Sequence, residues 1–170
     1  MSLLFLVGFM GVGKTTIAKK LAKKLSYDWV DTDMLIAQNE GISVTEIFKL
    51  KGEEHFRKLE IEVLHSFHGK SKLIIATGGG MPCYNDLMDK MNAMGITIYL
   101  ERSPKELFQR LKNATQNRPL LQQKNDDELL KYIEENLSTR VKTYQKARYT
   151  ADRFNQTPEK IITIIQSLDS

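Results

Sequence analysis

The chain has 170 residues, of which 41% are hydrophobic and 27% are charged, as is usual for a globular protein of one domain. Its 25 basic and 21 acidic residues give a formal net charge of +4 without a basic block, so the composition does not indicate nucleic-acid binding. One cysteine, Cys83, excludes an intrachain disulfide and suits a reducing compartment. The apolar start at residues 3–7 is too short to span a membrane and lacks a preceding basic segment. We therefore expect a cytoplasmic protein without a nucleic-acid or membrane partner and, since no coiled-coil pattern is visible, a monomer.

Short apolar runs alternate with segments of helical spacing along the whole chain. In chain order the pattern predicts a strand at 3–7, helices at 14–25 and 34–38 around a strand near 29–30, a helix at 52–68, a strand at 73–76, a helix at 85–94, a strand at 96–100, helices at 104–113 and 126–147, a short strand near 149 and a helix at 158–168. We expect Gly95 to end the fourth of these helices as its C′ residue. This alternation predicts one α/β domain over residues 1–170, with a parallel sheet covered on both faces.

The first predicted strand leads into a glycine-rich loop at residues 8–15, which matches the phosphate-loop pattern G-x-x-x-x-G-K-[ST] without a mismatch. Such a loop turns its backbone N–H groups and a helix N-terminus toward phosphate oxygens, here those of ATP. We expect Lys14 to reach the β- and γ-phosphates and the Thr15 hydroxyl to bind Mg²⁺. The nucleotide contacts are assigned to Gly11, Val12, Gly13, Lys14, Thr15 and Thr16. The alternative is a chance glycine turn before a helix.

Two further strand ends carry candidate residues, since ligands of open α/β sheets bind at the carboxyl ends of the strands. Asp31 and Asp33 follow the second strand two residues apart, so both carboxylates can face the phosphate site. Alternatively, Asp33 only caps the helix that follows. Three glycines at 78–80 follow the third strand, where they either expose backbone N–H groups to a ligand or form a plain flexible turn.

Three arginines are candidates for binding anions, and each also has a plainer interpretation. Arg57 lies three residues before Glu60 on a helix, which is also the spacing of a surface ion pair. Arg118 lies in a polar loop at 114–125 that is suited to closing over a nucleotide, but it is otherwise one more solvated arginine. Arg140 flanks the apolar stripe of its helix, from which it either extends to water or projects into a cleft.

Taken together, these segments resemble the shikimate kinases in order and spacing over residues 3 to about 168. The motifs that carry the resemblance are Gly-Phe-Met-Gly-Val-Gly-Lys-Thr at 8–15, Asp31-Thr-Asp33, Phe56-Arg57-x-x-Glu60, Gly78-Gly79-Gly80, Arg118-Pro119-Leu-Leu and Arg140-x-x-x-Tyr144. The resemblance implies the phosphate-loop kinase fold, with a five-stranded parallel sheet flanked by helices on both faces. It also implies a substrate-binding helical region at about 33–60 and a mobile lid at about 113–126.

The implied activity is phosphorylation of the 3-hydroxyl of shikimate by ATP, with one Mg²⁺ per subunit, in the pathway to chorismate and the aromatic amino acids. Residue by residue, the resemblance implies catalytic roles for Lys14, Asp33 and Arg118. It implies shikimate binding by Asp33, Arg57, Gly79 and Arg140, and metal binding by Thr15 and Asp31. Arg110, Arg118 and Gln156 would contact the nucleotide, with Arg110 and Gln156 at positions similar to those that contact adenine.

Three other functions fit part of the pattern. A kinase for another small hydroxy acid such as gluconate would share the phosphate loop but would not need the remaining motifs as a set. A nucleoside monophosphate kinase would have no use for a carboxylate-binding pair of arginines. A catalytically silent nucleotide-binding regulator would not need Lys14, Thr15 and Asp33 intact.

Overall fold

A computed structural model describes residues 3–114 and 124–168. In chain order the elements are β1 (Leu3–Val7), α1 (Lys14–Leu25), β2 (Asp28–Asp31), α2 (Thr32–Glu40), α3 (Val44–His65), β3 (Leu73–Ala76), a 3₁₀ turn (Met81–Cys83), α4 (Leu87–Met94), β4 (Gly95–Leu100), α5 (Pro104–Ala114), α6 (Asp126–Tyr144), β5 (Tyr149–Ala151) and α7 (Pro158–Leu168). Within these two described ranges, no helix combines the length and apolar character that crossing a bilayer requires.

The five strands form one parallel sheet in the order β2-β3-β1-β4-β5, which confirms the predicted α/β fold. Every residue of β1, β3 and β4 is buried, because helices cover the sheet on both faces. This burial explains why these strands are continuous apolar runs rather than alternating ones.

The carboxyl ends of β1, β2 and β3 lie side by side at one edge of the sheet. In the strand register, Ala76 at the end of β3 is opposite Leu6 of β1 and Asp31 of β2. Thr77 then fixes the chain to β1, since both its backbone N–H and its hydroxyl donate to the Leu6 carbonyl, at 3.1 and 3.0 Å. The segments that leave these three strands therefore start next to one another.

Helix α3 differs most from the prediction, because it begins at Val44 rather than at residue 52. Ser43 and Glu46 form a reciprocal capping box at its start, which is a recognisable helix signal. At Gly52 the backbone leaves the helical conformation, with φ 83° and ψ 168°, so the element is two helices joined across a break. The break interrupts the helical periodicity, and this is why the sequence pattern indicated only the second part.

Gly95 ends α4 as we predicted, and its backbone N–H donates to the Met91 carbonyl. Its φ of −170° is extended, and β4 begins at this residue. A glycine is required here by space, since a Cβ at Gly95 would lie 2.2 Å from the Leu3 carbonyl oxygen of β1. Close approach of two backbones at this helix end therefore explains the glycine.

We expect Gly95→Ala to lower the free energy of unfolding by about 3 kcal/mol, because the methyl group would push β4 away from the central strand. Urea unfolding measures this loss. Gly41→Ala is the matched control: φ is 71° there, but no atom lies within 4 Å of the added Cβ. Only the backbone cost of about 1 kcal/mol should then appear, and equal losses in the two variants would contradict the steric explanation.

Candidate active site

A cleft of about 900 Å³ lies at the carboxyl ends of β1, β2 and β3. The phosphate loop, the start of α2, both parts of α3, the glycine turn after β3, and helices α5 and α6 all contribute to its lining. Most of the predicted site residues line it, namely Gly11, Gly13, Lys14, Thr15, Thr16, Asp31, Asp33, Arg57, Gly79, Arg110 and Arg140. The structure therefore brings together residues that are spread over much of the chain.

The phosphate loop leads directly into α1, which begins at Lys14 after Gly13 in a left-handed conformation. The Lys14 side chain is buried, and its Nζ donates to the carbonyl oxygens of Gly8 at 2.6 Å and Phe9 at 3.0 Å. Arg110 of α5 also lies at this loop, where its Nε donates to the Gly11 carbonyl at 2.7 Å. Two cationic side chains therefore adjoin the helix N-terminus, which favours an anionic ligand.

Asp31 joins the phosphate loop to α2 through its two carboxylate oxygens. Oδ2 accepts a short hydrogen bond from the Thr15 hydroxyl, while Oδ1 accepts from the backbone N–H groups of Asp33 and Met34 at 3.0 and 3.1 Å. Asp31 is therefore the N-cap of α2, and the alternative that Asp33 provides this cap was wrong. Because Asp31 caps the helix, the Asp33 side chain does not have this role and lies instead beside Gly78.

The glycine turn after β3 provides the space in which three charged side chains meet. A Cβ at Gly78 would lie 2.5 Å from Asp33 Oδ1, and one at Gly80 would lie 2.9 Å from both Nη atoms of Arg57. A Cβ at Gly79 would lie 3.5 Å from Arg140 Nη1. The interpretation of this segment as a plain flexible turn is therefore wrong, because any larger residue at 78 or 80 would displace a charged group.

A buried threonine holds the Asp33 end of this arrangement in place. Thr32 is fully buried at the start of α2, and its hydroxyl oxygen accepts a hydrogen bond of 2.8 Å from the backbone N–H of Gly78. This bond ties α2 to the glycine turn. Thr32 was not among the predicted site residues, although a polar residue between two candidate carboxylates was a usable signal.

Arg57 is held by charge and by aromatic rings, so it is not the surface ion pair that was the alternative. Only 13% of its side chain is exposed, and it pairs with Glu60 at 2.8 Å and Glu53 at 3.1 Å. Its guanidinium carbon also lies 5.8 and 5.7 Å from the ring centroids of Phe56 and Tyr84. These contacts fix a cation at the cleft, which is what recognition of an acid requires.

Glu60 is a site residue to which the sequence analysis assigned no role. Its side chain is 1% exposed. Burial raises the pKa of this carboxyl to about 7, opposed by Arg57 and reinforced by the negative charge of Asp33. A usable signal was its position on the buried stripe of α3, four residues after Phe56, where a carboxylate is expected only if it is paired.

Two predicted nucleotide contacts among the described residues, Val12 and Gln156, do not line the cleft; Val12 is buried beneath the loop residues that do. Gln156 is buried, and its amide nitrogen donates to the carbonyls of Glu101 and Ala151, each at 2.8 Å. Its amide oxygen accepts from Arg102 Nε at 3.0 Å, so the side chain joins the ends of β4 and β5. Arg118 and most of the predicted lid at 113–126 lie outside the described residues, and their roles stay predictions.

Comparison with known proteins identifies the family. The family model described as Shikimate kinase matches residues 10–169. The chain belongs to the shikimate kinase family. A shikimate kinase from Bacteroides fragilis is 42% identical over 97% of this chain and 93% of its own length, and one from Clostridium botulinum is 39% identical over 95% and 93%. The family consists of enzymes that phosphorylate shikimate with ATP in the pathway to the aromatic amino acids.

Solved structures agree with this assignment and with the fold. The shikimate kinase from Bacteroides thetaiotaomicron superposes with a TM-score of 0.90 at 38% identity, covering 99% of both chains. The enzyme from Acinetobacter baumannii, solved in complex with shikimate, gives 0.85 at 33% identity over 99% of this chain and 94% of that one. A gluconokinase from Sinorhizobium meliloti, 14% identical with a TM-score of 0.59, shares the fold alone.

We expect the stability of the protein, relative to that of Glu60→Gln, to fall as the pH rises from about 4.5 to about 7. The unfolded carboxyl loses its proton near pH 4.5 and the buried one only near 7. The stabilisation is therefore complete below the lower value and lost above the upper one. Urea unfolding between pH 4.5 and 8 should show a difference of up to about 3 kcal/mol.

Glu54→Gln is the control for this pH series, since that side chain is 81% exposed on the same helix. Its stability relative to the wild type should vary little over the range. A free energy of unfolding of the wild type that rises with pH relative to that of Glu60→Gln would contradict the expectation, because it would mean that pairing with Arg57 outweighs burial.

Proposed function

We propose that this protein transfers the γ-phosphoryl group of ATP to the 3-hydroxyl of shikimate, and that it does so as a cytoplasmic monomer. The products are shikimate 3-phosphate and ADP. The observation that supports this most is the meeting of Asp33, Arg57 and Arg140 at the glycine turn beside the phosphate loop. Two cations for a carboxylate and one carboxylate for hydroxyl groups match the chemistry of an acidic ring alcohol.

The nucleotide occupies the phosphate-loop side of the cleft in this proposal. The N–H groups of residues 11–16 and the N-terminus of α1 bind the phosphate oxygens. Lys14 exchanges its bonds to the Gly8 and Phe9 carbonyls for bonds to the β- and γ-phosphates, which are adjacent and carry more charge. Arg110 stands at the same loop, and Arg118 joins the phosphates from the lid. A contact of Gln156 with adenine runs through its backbone, because its side-chain amide is already bonded.

Thr15 and Asp31 are the residues that would hold Mg²⁺. Their oxygens adjoin each other at the phosphate loop, and Mg²⁺ prefers oxygen ligands while keeping waters and substrate phosphates in most of its positions. In the described part of the chain no cluster of three His, Cys, Asp or Glu residues is arranged for a metal, which agrees with a site completed by the nucleotide. When bound, the ion neutralises charge on the β- and γ-phosphates.

Arg57 and Arg140 bind the shikimate carboxylate. They approach the glycine turn at Gly80 and Gly79 respectively, which are adjacent residues of the turn. Guanidinium groups suit this task, since each forms charge-assisted hydrogen bonds in a planar fork that matches a carboxylate. Glu60 and Glu53 orient Arg57 by forming ion pairs with its guanidinium group. Holding the acid in this way sets the position of the ring and of its hydroxyl groups.

Asp33 binds the hydroxyl groups and aligns the 3-hydroxyl with the γ-phosphate. Its carboxylate lies at Gly78, while its backbone N–H is bonded to the Asp31 carboxylate beside Thr15. Asp33 and the metal residue Asp31 are thus two residues apart in the chain and joined by one hydrogen bond. Because phosphoryl transfer has a loose transition state, placing and polarising the hydroxyl contributes more than removing its proton beforehand.

A coupled assay of ADP release tests the function against its rivals. With shikimate as acceptor we expect turnover at least ~10²-fold above the rate without an acceptor, because the clamp places the hydroxyl in line with the nucleotide. Gluconate and AMP should give rates near that background. Preference for gluconate or AMP would overturn the proposal in favour of the corresponding kinase. Equal slow release in all four reactions would favour a regulator.

We expect Arg57→Ala to raise the KM for shikimate by about 10-fold or more, because it removes a charge-assisted hydrogen bond to the carboxylate. The KM for ATP should change by less than about 2-fold, since the contacts of Arg57 are with Glu53, Glu60 and the glycine turn. Lys58→Ala is the matched control: its side chain is 65% exposed and pairs only with Glu54 in the described structure. An unchanged KM for shikimate in a folded Arg57→Ala protein would reject the clamp.

A further inference from the structure

An aromatic ring of the phosphate loop lies against one of the two arginines of the proposed clamp. The Arg140 guanidinium carbon is 5.6 Å from the ring centroid of Phe9, within the range in which a cation is attracted to a π face. Phe9 is the second residue of the loop and is 1% exposed. Residues at this position of the loop contribute to nucleotide binding through the backbone alone, so its buried ring needs another explanation.

The ring is held rigidly because the backbone of Phe9 is fixed within the loop. Its carbonyl accepts hydrogen bonds from Lys14 Nζ at 3.0 Å and from the Val12 N–H at 3.3 Å. The side chain belongs to the hydrophobic core around β1. A ring held by packing, on a backbone fixed by the Val12 N–H, has little freedom to move away from the guanidinium.

The backbone of Gly79 lies close to the Arg140 guanidinium and restricts its position on a second side. Arg140 Nη1 lies 3.5 Å from where a Cβ of Gly79 would stand. One helical turn later, the Tyr144 hydroxyl donates to the Gly79 carbonyl at 2.5 Å, which fixes that strip of backbone relative to α6. The guanidinium therefore lies between an aromatic ring and a backbone segment that the same helix anchors.

Arg140 also differs from Arg57 in how its charge is balanced. Arg57 pairs with two carboxylates. Arg140, by contrast, forms a side-chain hydrogen bond with Tyr144, and its positive charge opposes the rise that burial causes in the pKa of the Glu60 carboxyl. The Phe9 ring thus holds Arg140 without supplying a negative charge that would compete with an incoming carboxylate.

We propose that Phe9 is a positioning residue for Arg140, whose ring face holds the guanidinium in the orientation that receives the shikimate carboxylate. The inference rests on the proposed function, since it needs Arg140 to bind that acid. It assigns one residue of the phosphate loop to both substrates: the Phe9 carbonyl holds Lys14 until the nucleotide binds, and the Phe9 ring holds Arg140 on the acid side. Exchange of the ring for an aliphatic group should weaken acid binding and leave nucleotide binding intact.

Fluorinated phenylalanines at position 9 test this, because fluorine withdraws charge from the ring face while changing its volume little. We expect the KM for shikimate to rise stepwise with one, two and three fluorines, to about 5-fold in total. The KM for ATP and kcat should stay within about 2-fold. Phe9→Leu should raise the KM for shikimate at least as much. Thermal unfolding of each variant shows whether it remains folded, and direct binding of shikimate gives the same comparison without turnover.

Two controls distinguish positioning from packing. The same fluorinated residues at Phe5, a fully buried ring of β1, should leave the KM for shikimate unchanged. In an Arg140→Gln background, fluorination of Phe9 should no longer change it, because the cation is gone. A KM that stays flat across the Phe9 series, or rises equally in the Arg140→Gln background, would overturn the inference alone. Failure of the unmodified protein to bind or phosphorylate shikimate would overturn the proposed function and this inference with it.

Discussion

Strand β3 lies between β1 and β2, and its register with both neighbours determines where the polar residues of the cleft meet. Leu6, Ala76 and Asp31 lie side by side across the three strands, so the phosphate loop, the glycine turn and the paired aspartates all start from one line. Thr77 secures this line by two hydrogen bonds to the Leu6 carbonyl. A shift of β3 by one residue would reverse its buried faces and separate Gly78 from Asp33 at the same time.

The charged side chains of the cleft are tolerated because each is balanced by a different kind of neighbour. Lys14 lies on carbonyl oxygens, Arg57 pairs with carboxylates, and Arg140 lies on an aromatic ring. Buried cations without such partners would be costly, since burial disfavours the charged form. Lys14 and Arg140 have carbonyl oxygens and an aromatic ring as partners. An anion that binds either cation therefore does not have to displace a carboxylate from that contact.

Much of this arrangement was predictable because it follows from local patterns. Residues 8–15 specify the phosphate loop through backbone geometry, and apolar runs specify the buried parallel strands. The rest depends on contacts between residues distant in the chain. The ring of Phe9 near Arg140, the bond of Thr15 to Asp31 and the bond of Gly78 to Thr32 need the folded structure, because the two partners of each contact lie far apart in the chain.

The break at Gly52 divides α3 into parts with separate tasks. The first part contributes Val44, Thr45 and Phe48 to the cleft wall, and the second contributes Arg57 and Glu60. The two parts stay in contact across the break through the rings of Phe48 and Phe56, whose centroids are 4.6 Å apart. Substitutions in the first part of α3 would therefore alter the surface that meets the ring substituents of an acceptor and leave the acid anchor in place, provided that the contact of Phe48 with the ring beside Arg57 is kept.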